Sequence, residues 1–376
     1  MRYAVARTVA VLAASAGLVS MAACSPPEKA GAQTEGGAAT ATSAAELGGF
    51  DRLVEEAKKE GQLNVIALPP DWANYGELVK TFGEKYGIKV NSVQPDAASQ
   101  DEINAANQLR GQSGAPDVFD LGDAVARANV PMFAPYRVQK FDEIPAALKA
   151  ADGAWVNDYG GYMSIGFDAA KVPAPQSLTD LLKPEYRGKV ALNGDPTQAG
   201  AAFSGVVMAA LGNGGSADDI GRGVDFFRQL KEAGNFLPVD PTPATIESGQ
   251  TPVVIDWDYL NVAQGAKLTG KADWKTVVPQ GAVVGSYYVQ AINSDAPHPA
   301  AARLWQEFLY SDEGQNLWLK GGARPVRAEA MAKAGTIDQA AYAALPATTG
   351  EPVFLTEAQT ARAKEILTAN WAKAVG

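Results

Sequence analysis

An α/β fold in two lobes is what this sequence predicts, and three observations predict it. Short apolar runs rich in Val, Ile and Leu alternate with stretches of helical spacing about three turns long, the pattern of a parallel sheet covered by helices. The chain has 376 residues. With its N-terminal segment set aside, about 330 remain, a length that favours two lobes over one core. Cys24 is its only cysteine, so no disulfide within the chain can support the fold, which must stand on its apolar cores.

The elements follow in order. Residues 45–60 have helical spacing and stop at Gly61. A strand is expected at 63–68, then the loop Pro69-Pro70-Asp71-Trp72 and a helix to about Tyr86. The run 88–93 reads as a second strand, 102–112 as a helix and 116–121 as a strand. A second set starts near Tyr162, with a short helix at 178–182, a strand at 190–192, an Ala-rich helix at 199–211 and another helix at 220–233. A strand at 252–257 and an extended run at 283–292 come next, then helices at 299–310, 313–320 and 356–374. The glycine-rich Gly212-Asn213-Gly214-Gly215-Ser216 follows a helix rather than a strand, so it reads as a helix stop.

The N-terminus reads as an export signal. Arg2 and Arg7 precede an apolar run, 9–23, that is short for a bilayer span. Leu18-Val19-Ser20-Met21-Ala22-Ala23-Cys24 resembles a bacterial lipobox, which implies a signal peptide over 1–23 and acylation of Cys24 at the outer face of the cytoplasmic membrane; the alternative is an ordinary cleaved signal with an incidental cysteine. Residues 24–47 are mostly Ala, Gly, Thr, Ser, Pro and Glu with little to bury, so a disordered tether is expected there. The formal charge is −10, and removal of Arg2 and Arg7 takes it to −12. That balance argues against a nucleic-acid partner, which needs basic surface.

Four stretches in order resemble the extracellular solute-binding proteins of bacterial ABC importers, with the lobe order called type II, over most of 48–330. They are 53–61 with Leu63-Asn64-Val65-Ile66; Ser177 to Leu192 followed by Asp195-Pro196; Glu247-Ser248-Gly249-Gln250 before the strand at 253–257; and Asp295-Ala296-Pro297-His298-Pro299 through Gln315. The resemblance implies two lobes, one from 48–160 and 287–330 and one from 165–283, with 331–376 as C-terminal helices packing on them. Crossing strands are implied near 161–165 and 285–288. The implied role is capture of a small polar solute in the interlobe cleft and its delivery to a membrane permease, as a lipid-anchored monomer.

In open α/β sheets ligands bind beyond the carboxyl ends of strands. Five loops qualify. Asp71 and Trp72 follow the first strand, where they either line the cleft or serve as a cap and a local core residue. Asp123 either caps the next helix or faces the cleft. Asp195 and Gln198 precede the Ala-rich helix, whose free amides favour an anion, though Asp195 also suits plain capping. Asp256, Trp257, Asp258 and Tyr259 set two acids against two aromatics at a strand end, with the acids on one face if the chain stays extended. Tyr287 and Tyr288 sit on the second implied crossing. Carboxylates with aromatic faces suit an amine, so an amine or polyamine-like cation is the expected ligand. Polyamine binders have an acid and a Trp where this chain has Tyr288 and Ser286. Ferric binders of the family have a Tyr pair where this chain has Asp258-Tyr259. Iron, thiamine and phosphonate remain alternatives. His298, in a Pro-flanked loop, reads as a surface residue.

Enzyme signatures are missing. His298 is the only histidine, and no Gly-x-Ser-x-Gly elbow, phosphate-binding loop or Cys/His cluster occurs. Neither a cofactor nor a metal is expected, and a carboxylate-pair hydrolase is the remaining catalytic alternative.

Overall fold

The computed structural model describes residues 37–376; the signal segment and Cys24 lie outside that range. Its strands are β1 (Gln62–Ile66), β2 (Lys89–Val93), β3 (Val118–Gly122), β4 (Phe133–Ala134), β5 (Val156–Asp168), β6 (Val190–Leu192), β7 (Val253–Trp257), β8 (Trp274–Val277), β9 (Gly285–Asn293) and β10 (Arg324–Pro325). β1 and β2 pair in parallel, as do β6 and β7. The larger sheet runs β3-β9-β5-β7-β6, with β4 on β9 and both β8 and β10 on β5.

β5 joins the two halves. Its first part pairs antiparallel with β9, ending at Tyr162↔Gly285, and its second part pairs with β7 starting at Met163↔Trp257. The strand therefore changes partner between Tyr162 and Met163. Two glycines permit the close packing there. A Cβ on Gly160 would lie 2.1 Å from the Ser286 carbonyl oxygen, and one on Gly161 would lie 2.4 Å from Asp258 Oδ1. β9 runs back into the first lobe, antiparallel to both β3 and β5. The sheet is thus mixed, where strand–helix alternation alone predicts a parallel one.

The first lobe's core gathers around Phe82, Trp305 and Phe308, with the Phe82 and Trp305 rings edge to face at 5.1 Å. The helix Pro299–Leu309 is buried along its length, Arg303 and Glu307 included. Glu307 accepts from the Tyr136 hydroxyl at 2.9 Å, which satisfies a carboxylate that could not otherwise be buried. Arg303 donates to the carbonyls of Ala41 at 2.8 Å and Ala39 at 3.0 Å.

Those last bonds correct the expected tether. Ala38, Ala41 and Ala44 are buried and Ala44–Leu47 forms a 3₁₀ turn, so the chain from residue 38 onward is packed on the lobe. Small side chains let the backbone approach a buried guanidinium that needs acceptors. The helix expected from 45 begins only at Phe50, because Gly48 and Gly49 take positive φ and break it. His298 is also corrected. It is buried, with Nδ1 2.9 Å from Asp117 Oδ2 and its backbone N–H donating to Asp117 Oδ1 at 2.7 Å. At the other end of the chain, Val353 bridges to Val283 and Gly285. The helix Glu357–Val375 then packs on Gly221–Glu232, with Trp371 5.2 Å from Phe227.

Candidate ligand site between the lobes

The loop after β1 aims Trp72 across the lobe interface. Ala67, Ala73 and Asn74 all adopt positive φ around it, a backbone state costing L-residues on the order of 1–2 kcal/mol each. The loop is held against that cost by burial of Ala73 and by the Asn74 side-chain amide, which donates to the Leu317 carbonyl at 2.9 Å. Non-glycine strain of this kind clusters where a side chain must be held in one place.

Trp72 meets three tyrosines. Its indole N–H donates to the Tyr159 hydroxyl at 2.7 Å. Its ring stands edge-on to Tyr259 at 5.8 Å and to Tyr288 at 5.9 Å. Tyr159 from β5 and Tyr288 from β9 stack at 5.4 Å with planes 6° apart. Trp257 lies parallel to Tyr259 at 6.4 Å. Residues of the first lobe, the crossing strands and the second lobe thus meet ring against ring in one aromatic cluster. Two surface hollows lie elsewhere. One of about 320 Å³ is lined by Gln62, Asn64, Asn91 and Ser113, and one of about 370 Å³ by Asp195, Asp240 and Trp371.

Carboxylates sit behind the rings. Asp120 on β3 accepts from the Tyr159 hydroxyl at 3.3 Å, and burial pushes its carboxyl up to about 7 against that bond. Burial raises the carboxyls of Asp158 and Glu102, and the nearby Asp120 raises both further, with Glu102 Oε2 accepting from the Asp120 amide at 2.9 Å. On the second lobe burial also raises Asp256 to about 7, although Asn193 Nδ2 donates to its Oδ2 at 2.8 Å and the Trp257 amide to its Oδ1 at 2.8 Å. Burial raises the phenols of Tyr159, Tyr259 and Tyr288 as well, so all three are protonated at neutral pH. The Tyr259 hydroxyl is buried with no hydrogen-bond partner among the described residues.

A geometry of two lobes, two crossing strands and ring contacts between strand ends has a counterpart in sequence. The profile of the bacterial extracellular solute-binding proteins matches residues 121–346. The chain belongs to that family. Solved structures share the fold. Iron-bound HitA from Pseudomonas aeruginosa is 19% identical with a TM-score of 0.60, over 84% of this chain and 99% of that one. An ABC transporter substrate-binding protein from Bradyrhizobium japonicum is 15% identical with a TM-score of 0.66, over 84% and 100%. The periplasmic binding protein AfuA from Actinobacillus pleuropneumoniae, with fructose-6-phosphate bound, is 17% identical with a TM-score of 0.59, over 84% and 98%. At such identities these likenesses speak for the fold alone.

As a member of that family the protein is the substrate-binding component of an ABC-type importer. It works outside the cytoplasm with a membrane permease and is a binder, not an enzyme. No helix among the described residues is long and apolar enough to cross a membrane.

Within this solute-binding protein the residues singled out in sequence fall into two groups. Trp72, Trp257, Tyr259 and Tyr288 come together in the cluster, with Asp256 at its edge. The others are engaged elsewhere. Asp71 is exposed at the rim and pairs across the lobes with Lys267 at 3.1 Å. Asp123 pairs with Arg127 one turn on, at 2.9 Å. Asp195 folds back on its own turn, accepting from the Thr197 amide at 2.8 Å and hydroxyl at 2.7 Å, and Gln198 is exposed beside it. Asp258 pairs with Arg324 at 3.1 Å and also accepts from the Tyr162 and Tyr259 amides. Tyr287 stacks on Phe354 at 5.8 Å.

The extended alternation imagined for 256–259 does not occur. β7 ends at Trp257 and a helix, Asp258–Lys267, begins at once, so Trp257 and Tyr259 stack instead of alternating with the acids. Sequence reasoning missed Tyr159, Asp120 and Arg324. Asp120 had a signal, since an acid inside the apolar run Val118-Phe119-Asp120-Leu121 is costly to bury without a purpose. Tyr159 had none, because Gly160-Gly161 beside it reads as a loop.

Proposed function

We propose that this solute-binding protein captures a small organic cation between its lobes and passes it to the permease. The observation that carries the reading is the cluster of Trp72, Tyr159, Tyr259 and Tyr288 drawn from both lobes and the crossing strands, backed by Asp120 and Asp256. Aromatic faces attract a cation through their quadrupole, and a cation bound beside Asp120 and Asp256, whose carboxyls burial holds at about 7, favours their ionised forms. The nearby cations are engaged: Arg324 by Asp258 and Lys267 by Asp71, which leaves little to hold a phosphate or phosphonate. The start of the helix Gly200–Gly212 offers amides, but the exposed Asp195 carboxylate, held by the Thr197 amide in the loop just before it, disfavours an anion there.

Ferric ion is the second reading. The unpartnered Tyr259 hydroxyl beside Tyr159 and Tyr288 favours it, and iron-bound HitA shares the fold. Against it stands the raised pKa of all three phenols, each of which would have to lose its proton to bind the metal. In either reading the lobes, 48–160 with 287–330 and 165–283, close about the crossings, so ligand that contacts both shifts the equilibrium toward the closed form.

Calorimetric titration of ligand-stripped protein with amines, ferric ion, thiamine and phosphonates tests the reading. Heat with organic cations alone supports it. Binding of ferric ion alone, with growth of a phenolate-to-iron absorption band, replaces it with the second. The lipid anchor on Cys24 belongs to the same proposal, holding the binder near its permease. Radiolabelled palmitate should enter the wild-type chain and not the Cys24→Ser variant; equal labelling of both would remove the anchor.

A further inference from the structure

Resting on lobes that move about the two crossings, and on no particular ligand, we infer that the C-terminal segment 344–356 is a third connection between them. It is a strap whose Val353 and Phe354 splint the pivot and hold the lobe angle of this structure. Its two ends belong to different lobes. Before it, the helix Gln339–Ala343 sits on the first-lobe helix Asp312–Lys320. There the Asp338 amide donates to Asn316 Oδ1 at 2.8 Å, and Asn316 Nδ2 donates to the Thr336 carbonyl at 2.9 Å. After it, the helix Glu357–Val375 lies on the second lobe, where Gln359 Nε2 donates to Asp218 Oδ1 at 3.0 Å and Trp371 meets Phe227. The chain between crosses over the hinge. Arg324, on β10, holds the Pro346 carbonyl at 2.8 Å on the way.

The pivot lies where the crossings change partner. β5 leaves β9 for β7 between Tyr162 and Met163, and the Met163 amide donates to the Val284 carbonyl at 2.9 Å. Pairing of β9 with β5 starts at Gly285. Val353 brackets Val284: its N–H donates to the Val283 carbonyl at 2.9 Å, and its carbonyl accepts from the Gly285 amide at 3.0 Å. One residue on, the Phe354 ring stacks on Tyr287. Bonds on both sides of Val284 cannot all survive a rotation about it, so the strap resists that rotation. Gly285 makes room for it, since the three atoms nearest a Cβ there all belong to the Phe354 ring, the first at 2.5 Å. Alternation along β9 puts Tyr287 on the face opposite Tyr288. The strap therefore grips the hinge from the side away from the ring cluster. A ligand is bound through the fraction of molecules that hold the competent angle, so the strap tunes affinity without touching the ligand.

Single-molecule fluorescence transfer reads the angle with no ligand present. Dyes sit on Glu84→Cys and Glu232→Cys, exposed on the first and second lobes, in the full chain with Cys24→Ser. Phe354 is 42% exposed, so Phe354→Ala opens no buried cavity. It should shift the population ratio away from the wild-type angle about three- to tenfold and speed amide exchange at Gly285. Gly285→Ala, which pushes the ring off while leaving the strap's own sequence intact, should do the same. Both changes act on one contact, so the double variant should go no further than the larger single. Effects that add independently would overturn the inference. So would a Phe354→Ala variant with a lower melting temperature and an unchanged distance distribution. Either result leaves the organic-cation reading standing. One fixed distance in the wild type and every variant would remove the strap's role and the lobe motion together.

Discussion

Burial pushes the Asp256 carboxyl up to about 7, against two hydrogen bonds that favour its ionised form. Its unfolded value is about 4, so between pH 4 and 7 the native state holds a proton that the unfolded chain has released. The native state then binds more protons than the unfolded one, and stability falls as pH rises through that window. The loss for one such group is on the order of 4 kcal/mol. Asp256→Asn removes the titration while keeping the shape, and the Asn193 amide can turn to meet it. Urea unfolding between pH 5 and 8 should show a shallower fall in stability for the variant, by about one proton. An unchanged slope would show that Asp256 is ionised in the folded protein. The same residue shows how far a site can be read in advance. Asp256, Trp257 and Tyr259 were legible because polar and aromatic groups at a strand end stand out from an apolar run. Asp120 lies within such a run, and Tyr159 is placed only by a strand whose partners lie about 130 residues away in the chain.

Elements were more legible than residues, and the exceptions share one cause. β1, β2, β3, β6, β7 and β9 start within two residues of the expected runs; all but β2, whose Lys89–Val93 alternates polar residues with Val90 and Val93, are largely apolar. β5 was missed as a continuous strand. Its middle is Tyr159-Gly160-Gly161-Tyr162, and glycine pairs ordinarily break strands. Here they are required by the close approach of Ser286 on one side and Asp258 on the other, a constraint visible only once the second lobe is folded against the strand. The helix Asp258–Lys267 was missed for a related reason: its first turn carries two large residues, Tyr259 and Leu260, that read as the end of the preceding strand. The packed segment at 38–47 went the other way. Its composition is that of a tether, and it orders because Arg303, buried in a helix more than 250 residues later, draws its carbonyls in.

Two ion pairs of different kinds link the halves of the molecule, and they should behave differently. Arg324 and Asp258 are largely buried where β10, on the first half of β5, meets the start of a second-lobe helix. Burial raises the Asp258 carboxyl and Arg324 opposes it, so the pair exists by mutual compensation. Removing one partner leaves a buried charge unmatched, at a cost of about 3–5 kcal/mol. Lys267 and Asp71 span the rim in water, with side chains 50% and 83% exposed, and such pairs contribute about 0–1 kcal/mol and fade with salt. If the buried pair holds the lobes together, Arg324→Gln should move an interlobe fluorescence-transfer distance toward the open state, and Arg324→Gln with Asp258→Asn should bring much of it back. Lys267→Ala should stay within about fivefold of wild type in the open-to-closed ratio. An Arg324→Gln variant with an unchanged distance distribution and only a lower melting temperature would place the pair within the static hinge. Opening would then be governed by the aromatic contacts of Trp72 with Tyr259, which are the contacts a cation must enter.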